Sequence, residues 1–430
     1  MSLPKVLIYR RNGGLGRAGD DERQYSALCM NGAAVTGGVQ LNTVYELNSL
    51  NDAVDLGIDA DYDTDNTMLC YYHISEFFRM CPTGKLFILI VAQTVTLTQM
   101  ADKTSTIGLA QLLRDPLCKG KVRQAAVARN PASGYTPVTD GGLDSDSLAY
   151  DSGTTTYSGA VVKAHALATE EQTLYRPVHI FVEGRSLNGT TAALFDATGA
   201  NCSKVQLVVL ADNDVSTTDT LYAGYAAVGT VLGLRAGLSS ANSLAFVALG
   251  NIQSQADSKF VNPGLSSGTK LSAYTDTVNG DQDVLYDKGF IAPRIYQGYD
   301  GVYLNSDRTC VVNTDDYARG ALNMVINEAD RLVYLTMLPK LEGDYKVNAS
   351  NGRLAPIIIK SWEADCNKAL GTLVGTEDDN TGDASSAGAF INPNQNFLST
   401  DTIVVEHQIV PKGYAKTIKN YIGFKNPFNN

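Results

Sequence analysis

Glycines 14, 16 and 19 form a GxGxxG directly after the short apolar stretch at residues 6–11. In a dinucleotide-binding fold that spacing lets a pyrophosphate approach the backbone at a helix N-terminus. The residues that follow oppose this chemistry. Asp20, Asp21 and Glu22 put three carboxylates where the phosphates should lie, and each repels them. Arg10 and Arg11 stand where a buried parallel strand would be apolar. In a chain with 39 glycines such a match arises readily, and a flexible hinge behind an N-terminal arm accounts for it better. A Rossmann-type dinucleotide-binding enzyme is therefore the alternative function, resting on this motif alone.

Other chemically suggestive residues fall short in the same way. Asp59, Asp61, Asp63 and Asp65 alternate like the start of a calcium loop, but neither register supplies Gly at the sixth position and Glu at the twelfth; they read as a solvated acidic turn. His73, His165, His179 and His407 are the four histidines, and no two have metal-ligand spacing. His179 lies mid-strand and reads as a core histidine. Ser186, in GRSLNG, lacks the second-glycine spacing of a nucleophile elbow. The seven cysteines are scattered, odd in number and free of CxxC spacing, which fits buried thiols in a reducing compartment. Trp362, after an apolar strand expected at residues 356–359, reads as a packing residue. No catalytic, cofactor-binding or metal residue is assigned, and the chain is expected not to be an enzyme and to need no cofactor.

Composition narrows the partners. The chain has 430 residues, 44% of them hydrophobic, enough for ordinary cores in two or three domains. Formal charge is −11 with no basic run that could track a phosphate backbone, so nucleic acid is not an expected partner. The first apolar run is too short for a signal peptide, and the longest, residues 86–92, is about a third of a membrane span. No membrane insertion is expected; the chain is kept in the cytosol or leaves it by lysis.

The elements read as α/β with a largely parallel sheet. Residues 84–93, 122–128, 178–184, 205–211 and 243–250 are the expected core strands, with helical patterns at 106–113 and 222–238. Residues 130–173, rich in Ser, Thr, Gly and Asp, read as a surface insertion, and 375–387 as an exposed loop. A long helix is expected from Thr314, as cap, to the stop at Pro339, with Arg331 near its negative end. Residues 403–410 and 416–424 read as two strands around a turn at 411–413. Three regions result: an N-terminal arm at 1–20 with a donor strand, an α/β outer domain at 21–280, and an α+β C-terminal domain at 281–430 that ends in a donor strand at 416–424.

Several stretches then resemble a known family. NGGLGR at residues 12–17, YYHISEFFRMCPTGKLFILI at 71–90, GYDGVYLNSDRTC at 298–310, DDYARGALNMVINEADRLVYLTMLPKL at 315–341 and the closing IVPKGYAKTIKNYIGF are similar to the tail sheath proteins of contractile phages. The nearest branch is a compact one from phages and prophage-like elements of Bacteroidetes-type bacteria. Helices of this kind often carry paired arginines near the centre, whereas NMVINEADR here has Arg331 alone.

The resemblance implies an α/β outer domain, in some sheaths subtilase-like in topology without a triad, and a C-terminal sheath domain on the tail tube. It also implies terminal strands exchanged between subunits, carried here by Val6, Leu7, Ile8 and Tyr9 and by Ile418, Tyr421, Ile422 and Phe424. The implied function is a structural subunit that polymerises helically around a tail tube and contracts to drive it through an envelope. Expected partners are other copies of the chain, the tube protein, and baseplate and terminator proteins, in a virion tail assembled in the host cytoplasm. The same subunit in a phage-derived injection or secretion machine is an equal reading of these residues.

Overall fold

An unbroken apolar run such as LFILIV at residues 86–91 needs cover on both faces, and the computed structural model provides it. The structure describes residues 22–139, 142–187, 194–375 and 381–422. The arm strand with Val6, Leu7, Ile8 and Tyr9, the GxGxxG, and Phe424 lie outside the described residues. Contacts divide the chain into two units, Met1–Arg331 and Leu332–Asn430.

The first unit begins with β1 (Tyr25–Asn31), β2 (Val44–Leu47), α1 (Leu50–Asp55), α2 (Ala60–Asn66), α3 (Cys70–Met80), β3 (Lys85–Val91), α4 (Leu97–Ala101), α5 (Leu109–Arg114) and β4 (Gln124–Ala128). Then come β5 (Ala149–Asp151), β6 (Thr156–Ser158), α6 (Ala160–Thr173), β7 (His179–Glu183), β8 (Val205–Val208), β9 (Leu210–Asp212), α7 (Asn213–Ser216) and α8 (Val228–Gly237). It closes with β10 (Pro263–Leu265), β11 (Thr269–Lys270), α9 (Asp281–Asp287), β12 (Phe290–Ile291), β13 (Pro293–Tyr296), β14 (Tyr299–Leu304) and the long α10 (Gly320–Met337), within which the division falls.

Seven strands form the main sheet in the order β12-β8-β7-β4-β1-β3-β2. All pairings are parallel except β2 with β3. Alternate residues enter two cores, as a period of two requires. Ala27, Phe87, Leu89 and Ile180 face α4, α5 and α6, while Leu28, Ile88, Ile90 and Phe181 face α3 and α8. Helices α3 and α8 meet at backbone distance because α8 presents glycine every fourth residue. A Cβ at Gly229 would lie 2.3 Å from the His73 carbonyl oxygen, and one at Gly233 2.5 Å from that of Phe77.

Several expectations are corrected. Residues 243–250 form turns rather than a strand: the amides of Phe246 and Leu249 bond back three residues, and both side chains are about half exposed. The last position in the sheet goes to β12, which places residues from 281 to Arg331 with the first unit instead of a C-terminal domain. The expected insertion at 130–173 ends earlier, because α6 is the crossover between β4 and β7 and buries Ala160, Val161, Ala164, Leu167 and Ala168. Alanine gives that face too little hydropathic contrast to stand out. The β5–β6 hairpin before it carries an exposed tip.

The long helix starts at Gly320, six residues after Thr314, because Asp307 supplies its cap: Oδ2 accepts from the Ala321 N–H at 2.9 Å and the Asp307 carbonyl from the Gly320 N–H at 2.9 Å. Arg331 is buried and braces the sheet. Its Nη1 donates to the Gly120 carbonyl (2.6 Å) and its Nη2 to those of Val122 (2.8 Å) and Pro177 (2.6 Å), the chain entering β4 and β7. His179 Nε2 lies 3.0 Å from Gln206 Oε1, and Gln206 Nε2 donates to Asp307 Oδ1 at 3.0 Å, tying β7 and β8 to the start of α10.

The second unit holds α11 (Pro356–Val374), β15 (Ala384–Phe390), α12 (Phe397–Thr400) and β16 (Glu406–Pro411) around Leu354, Ile359, Trp362 and Ile391. The strand expected at 356–359 is the first turn of α11: Pro356 at the N-terminus is pre-set for a helix, and Ile359, Trp362, Glu363, Cys366, Leu370 and Leu373 are buried at helical spacing. Trp362 is a packing residue, edge-on to Tyr345 at 4.8 Å.

Replacing Arg331 with Met should leave three buried carbonyls without donors and lower the unfolding free energy by about 3–5 kcal/mol, read from chemical denaturation; a loss below 1 kcal/mol would refute the brace. Burial lowers the His179 pKa from 6.5 to about 3. Between those values the unfolded chain binds a proton that the native chain refuses, so stability falls as pH falls. From pH 7 to 5 this contributes a loss of about 2 kcal/mol. His179→Gln should remove that loss, so that stability at pH 5 relative to pH 7 rises by that amount over the native chain. His73, which burial also lowers to about 3, and Asp63, which burial raises to about 7, act with opposite signs in both chains.

Candidate assembly interface

In an open parallel sheet a ligand would bind beyond the carboxyl ends of the strands, where the strand order reverses. Here that place is filled by the chain itself. After β1, Asn31 Nδ2 donates to the carbonyls of Ala92 (2.7 Å) and Val95 (2.9 Å). Asn130, just past β4, donates from Nδ2 to the Asn31 carbonyl (2.8 Å) and accepts from the Leu69 N–H (3.0 Å). Beside it, buried Glu183 accepts from the amides of Arg129 (2.5 Å) and Ala226 (2.9 Å) and pairs with Arg185 at 3.0 Å. Arg129 pairs with Asp146, whose carboxylate caps α4 through the amides of Leu97 (2.7 Å) and Thr98 (2.9 Å). These groups close the crevice and serve the backbone around it.

The aspartate ladder is a pair of helix caps instead of an exposed turn. Asp59 caps α2 through the Tyr62 N–H (2.9 Å). Asp63 is buried and accepts from the amides of Tyr71 (2.9 Å) and Tyr72 (2.8 Å) at the start of α3, and burial raises its pKa to about 7. Ser186 lies just past β7 with a left-handed φ of 50°, its amide bonded to the Gly224 carbonyl at 2.9 Å. A Cβ at Gly224 would sit 2.3 Å from its hydroxyl oxygen. Three of the histidines have other neighbours: His179 bonds Gln206, His73 Nδ1 faces the Gly229 amide at 3.4 Å, and His165 Nδ1 the Lys204 amide at 3.5 Å. All seven cysteines are free and buried. Among the described residues no group of His, Cys, Asp or Glu could hold a metal, and no helix is long and apolar enough to cross a membrane.

The second unit is arranged differently. Strands β15 and β16 pair antiparallel from Ala384↔Pro411 to Phe390↔Glu406, and no third strand joins them among the described residues. Residues 375–387 were expected as one exposed loop; Ala384 onward is strand, hidden in the sequence by its Ala, Ser and Gly content. Position 409 pairs with Ala387 and 407 with Ala389. The Ala389 N–H bonds away from the partner strand, to Asn367 Oδ1 at 2.7 Å, so these are non-hydrogen-bonded pairs whose main-chain groups point off the outer edges.

After Pro411 the chain does not fold back on β16. The strand expected at 416–424 is absent over 416–422, and Ile418, Tyr421 and Ile422 are 75%, 92% and 97% exposed. Among the described residues this segment joins no sheet. Residues 412–422 carry Lys412, Lys416 and Lys419 and no acid, whereas residues 381–411 carry Asp383, Asp401 and Glu406 and no lysine or arginine. A short segment that exposes Ile418, Tyr421 and Ile422 thus stands in the same unit as a two-stranded sheet.

The chain was compared with known proteins. No curated protein sequence matches it. Residues 3–308 match the model of the family DUF2586, N-terminal domain. Among solved structures the chain is similar to the helical sheath of the anti-feeding prophage in its contracted state, with TM-score 0.59 and 11% identity over 99% of this chain and 100% of that one. It is similar to a chain of the six-fold symmetrised anti-feeding prophage baseplate, with TM-score 0.56 and 10% identity over 99% and 100%. The contracted sheath complex PVC of an extracellular contractile injection system gives TM-score 0.55 and 11% identity over 99% and 98%. With two thirds of its length under the family model and its whole length on the fold of contractile sheath subunits, the chain belongs to the DUF2586 N-terminal domain family.

Proposed function

We propose that this chain is the structural subunit of a contractile sheath, of a phage tail or of a phage-derived injection machine, that polymerises helically around a tube and contracts without nucleotide. The observation that carries the reading is the exposure of the apolar side chains Ile418, Tyr421 and Ile422 in the same unit as a two-stranded sheet. A two-stranded sheet is marginal alone, and its edges gain main-chain hydrogen bonds from a donated strand. The sheath fold of the solved structures supports the same reading, and the hydrogen bonds that Asn31, Asn130 and Glu183 make to the chain's own backbone beyond the strand ends speak against the dinucleotide alternative.

Exchange of terminal strands between subunits follows from this arrangement. Residues 416–424, with Ile418, Tyr421, Ile422 and Phe424, are one donor; the arm strand with Val6, Leu7, Ile8 and Tyr9 is the other. Both add to second-unit sheets of neighbouring copies, and Gly413 lets the donor swivel while remaining attached. Contraction is then a change between two packings of the same subunits, driven by energy stored at assembly. The tube protein, the baseplate and the terminator are the other partners, and assembly takes place in the bacterial cytoplasm.

Co-expressed with its tube protein, the chain should form helical tubes in negative-stain micrographs. Deleting residues 412–430, or 3–11, should leave a folded monomer that forms none. Ile422→Asp should act likewise, since a charge on the apolar face of the donated strand costs several kcal/mol where it is unpaired. Regular tubes from any of the three variants would refute that donor. Calorimetric titration with NAD, NADP, ATP or GTP should show no binding at micromolar concentration; a micromolar dissociation constant would favour the enzyme reading instead.

A further inference from the structure

The two outer edges of the β15–β16 sheet are not equivalent. Asn367 Oδ1 accepts from the Ala389 N–H at 2.7 Å, and Glu363 Oε1 accepts from the Ile391 N–H at 2.9 Å. The match is geometric: helix residues four apart rise about 6 Å and strand residues two apart about 6.7 Å. Successive outward amides of the β15 edge therefore meet successive turns of α11. Glu363 is held in place, since it is 7% exposed and its Oε2 accepts from Lys360 Nζ at 2.6 Å. Before the strand, the Leu373 carbonyl accepts from the Asp383 N–H at 2.6 Å. Helix α11 thus runs beside the end of the β15 edge and supplies acceptors to the amides of Ala389 and Ile391. On β16 the Ile409 N–H points outward, and no acceptor meets it among the described residues.

We propose that Glu363 and Asn367 guard the β15 edge and so direct strand donation to the β16 edge, where the occupant is the segment 414–422 of a second copy of this chain. This rests on the sheath reading above. The occupant is argued from charge, since Lys419 of the segment is opposite in sign to Asp401 and Glu406 of the sheet segment, which holds no lysine or arginine. It is argued also from exposure, since the same segment of each copy leaves Ile418, Tyr421 and Ile422 uncovered. The consequence is one-sided growth. A sheet open at both edges can add strands in either direction and run on into aggregates; a sheet closed on the β15 side adds them only beyond β16.

Ala387 and Ile409 stand opposite each other in the ladder, and their outward amides report the two edges separately. Hydrogen exchange at single-residue resolution should be compared between the full-length subunit and sheath assembled on its tube. The Ile409 amide should slow by about 100-fold on assembly, while the Ala387 amide keeps its rate. Asn367→Ala should speed exchange at Ala389 in the free subunit and yield aggregates beside tubes. Asn367→Asp, which keeps an acceptor oxygen, should behave as the native chain. Slowing at Ala387 in native sheath overturns the guard and leaves strand exchange standing. Slowing at neither amide overturns strand exchange at this sheet, and the guard with it. Native exchange at Ala389 together with clean tubes from Asn367→Ala would show that Asn367 guards nothing.

Discussion

Main-chain amides and carbonyls at a sheet edge must find partners, and the way each sheet of this chain meets that demand separates its two units. The main sheet ends in short strands: β2 spans four residues and reverses direction, and β12 spans two. Short edges offer little template for another chain. Its interior is covered by helices on both faces, and even the carbonyls leading into β4 and β7 are held by one guanidinium, that of Arg331. In the second unit the outer edge of β16 has no neighbouring strand among the described residues.

The closed crevice has a comparable meaning. An α/β sheet of this kind positions chemistry when the loops beyond its strands leave a gap lined with unspent polar groups. Here Asn31, Asn130, Glu183, Arg185 and Asp146 occupy that position and bond the chain's own backbone, and Arg129 pairs with Asp146.

Legibility in the sequence followed hydropathic contrast. Strands β3, β4, β7 and β8 were readable because continuous runs such as LFILIV admit few other environments. Strand β1 was signalled only as a general apolar onset near Gln24, since YSALCMN mixes small, polar and apolar residues. Helix α6 was lost in an alanine-rich face, and β15 in ASSAGAF. The run PIII imitates a strand, yet Trp362, Cys366 and Leu370 keep a helical period beyond it. The misfit of each chemical motif could be argued from spacing alone. The acceptors Glu363 and Asn367 could not, because their role depends on which strand lies beside α11, and no local pattern encodes that.

The second unit's apolar core is small: among the described residues Leu354, Ile359, Trp362, Cys366, Leu370, Leu373, Ala384 and Ile391 are its buried apolar members, with Tyr345, Val347 and Phe397 packed against part of it. A two-stranded sheet on one helix buries too little to be rigid without help. Under the sheath reading the help comes from neighbouring copies, so folding of this unit and assembly of the lattice are linked: each donated strand stabilises its acceptor only when bound. Such linkage makes the lattice cooperative. It also explains how subunits can rotate during contraction without separating, because the donated strands remain paired while the swivel at Gly413 takes up the change in direction. The guarded β15 edge then matters for the same reason as the unguarded β16 edge: one makes the connection, and the other limits it to one side of the sheet.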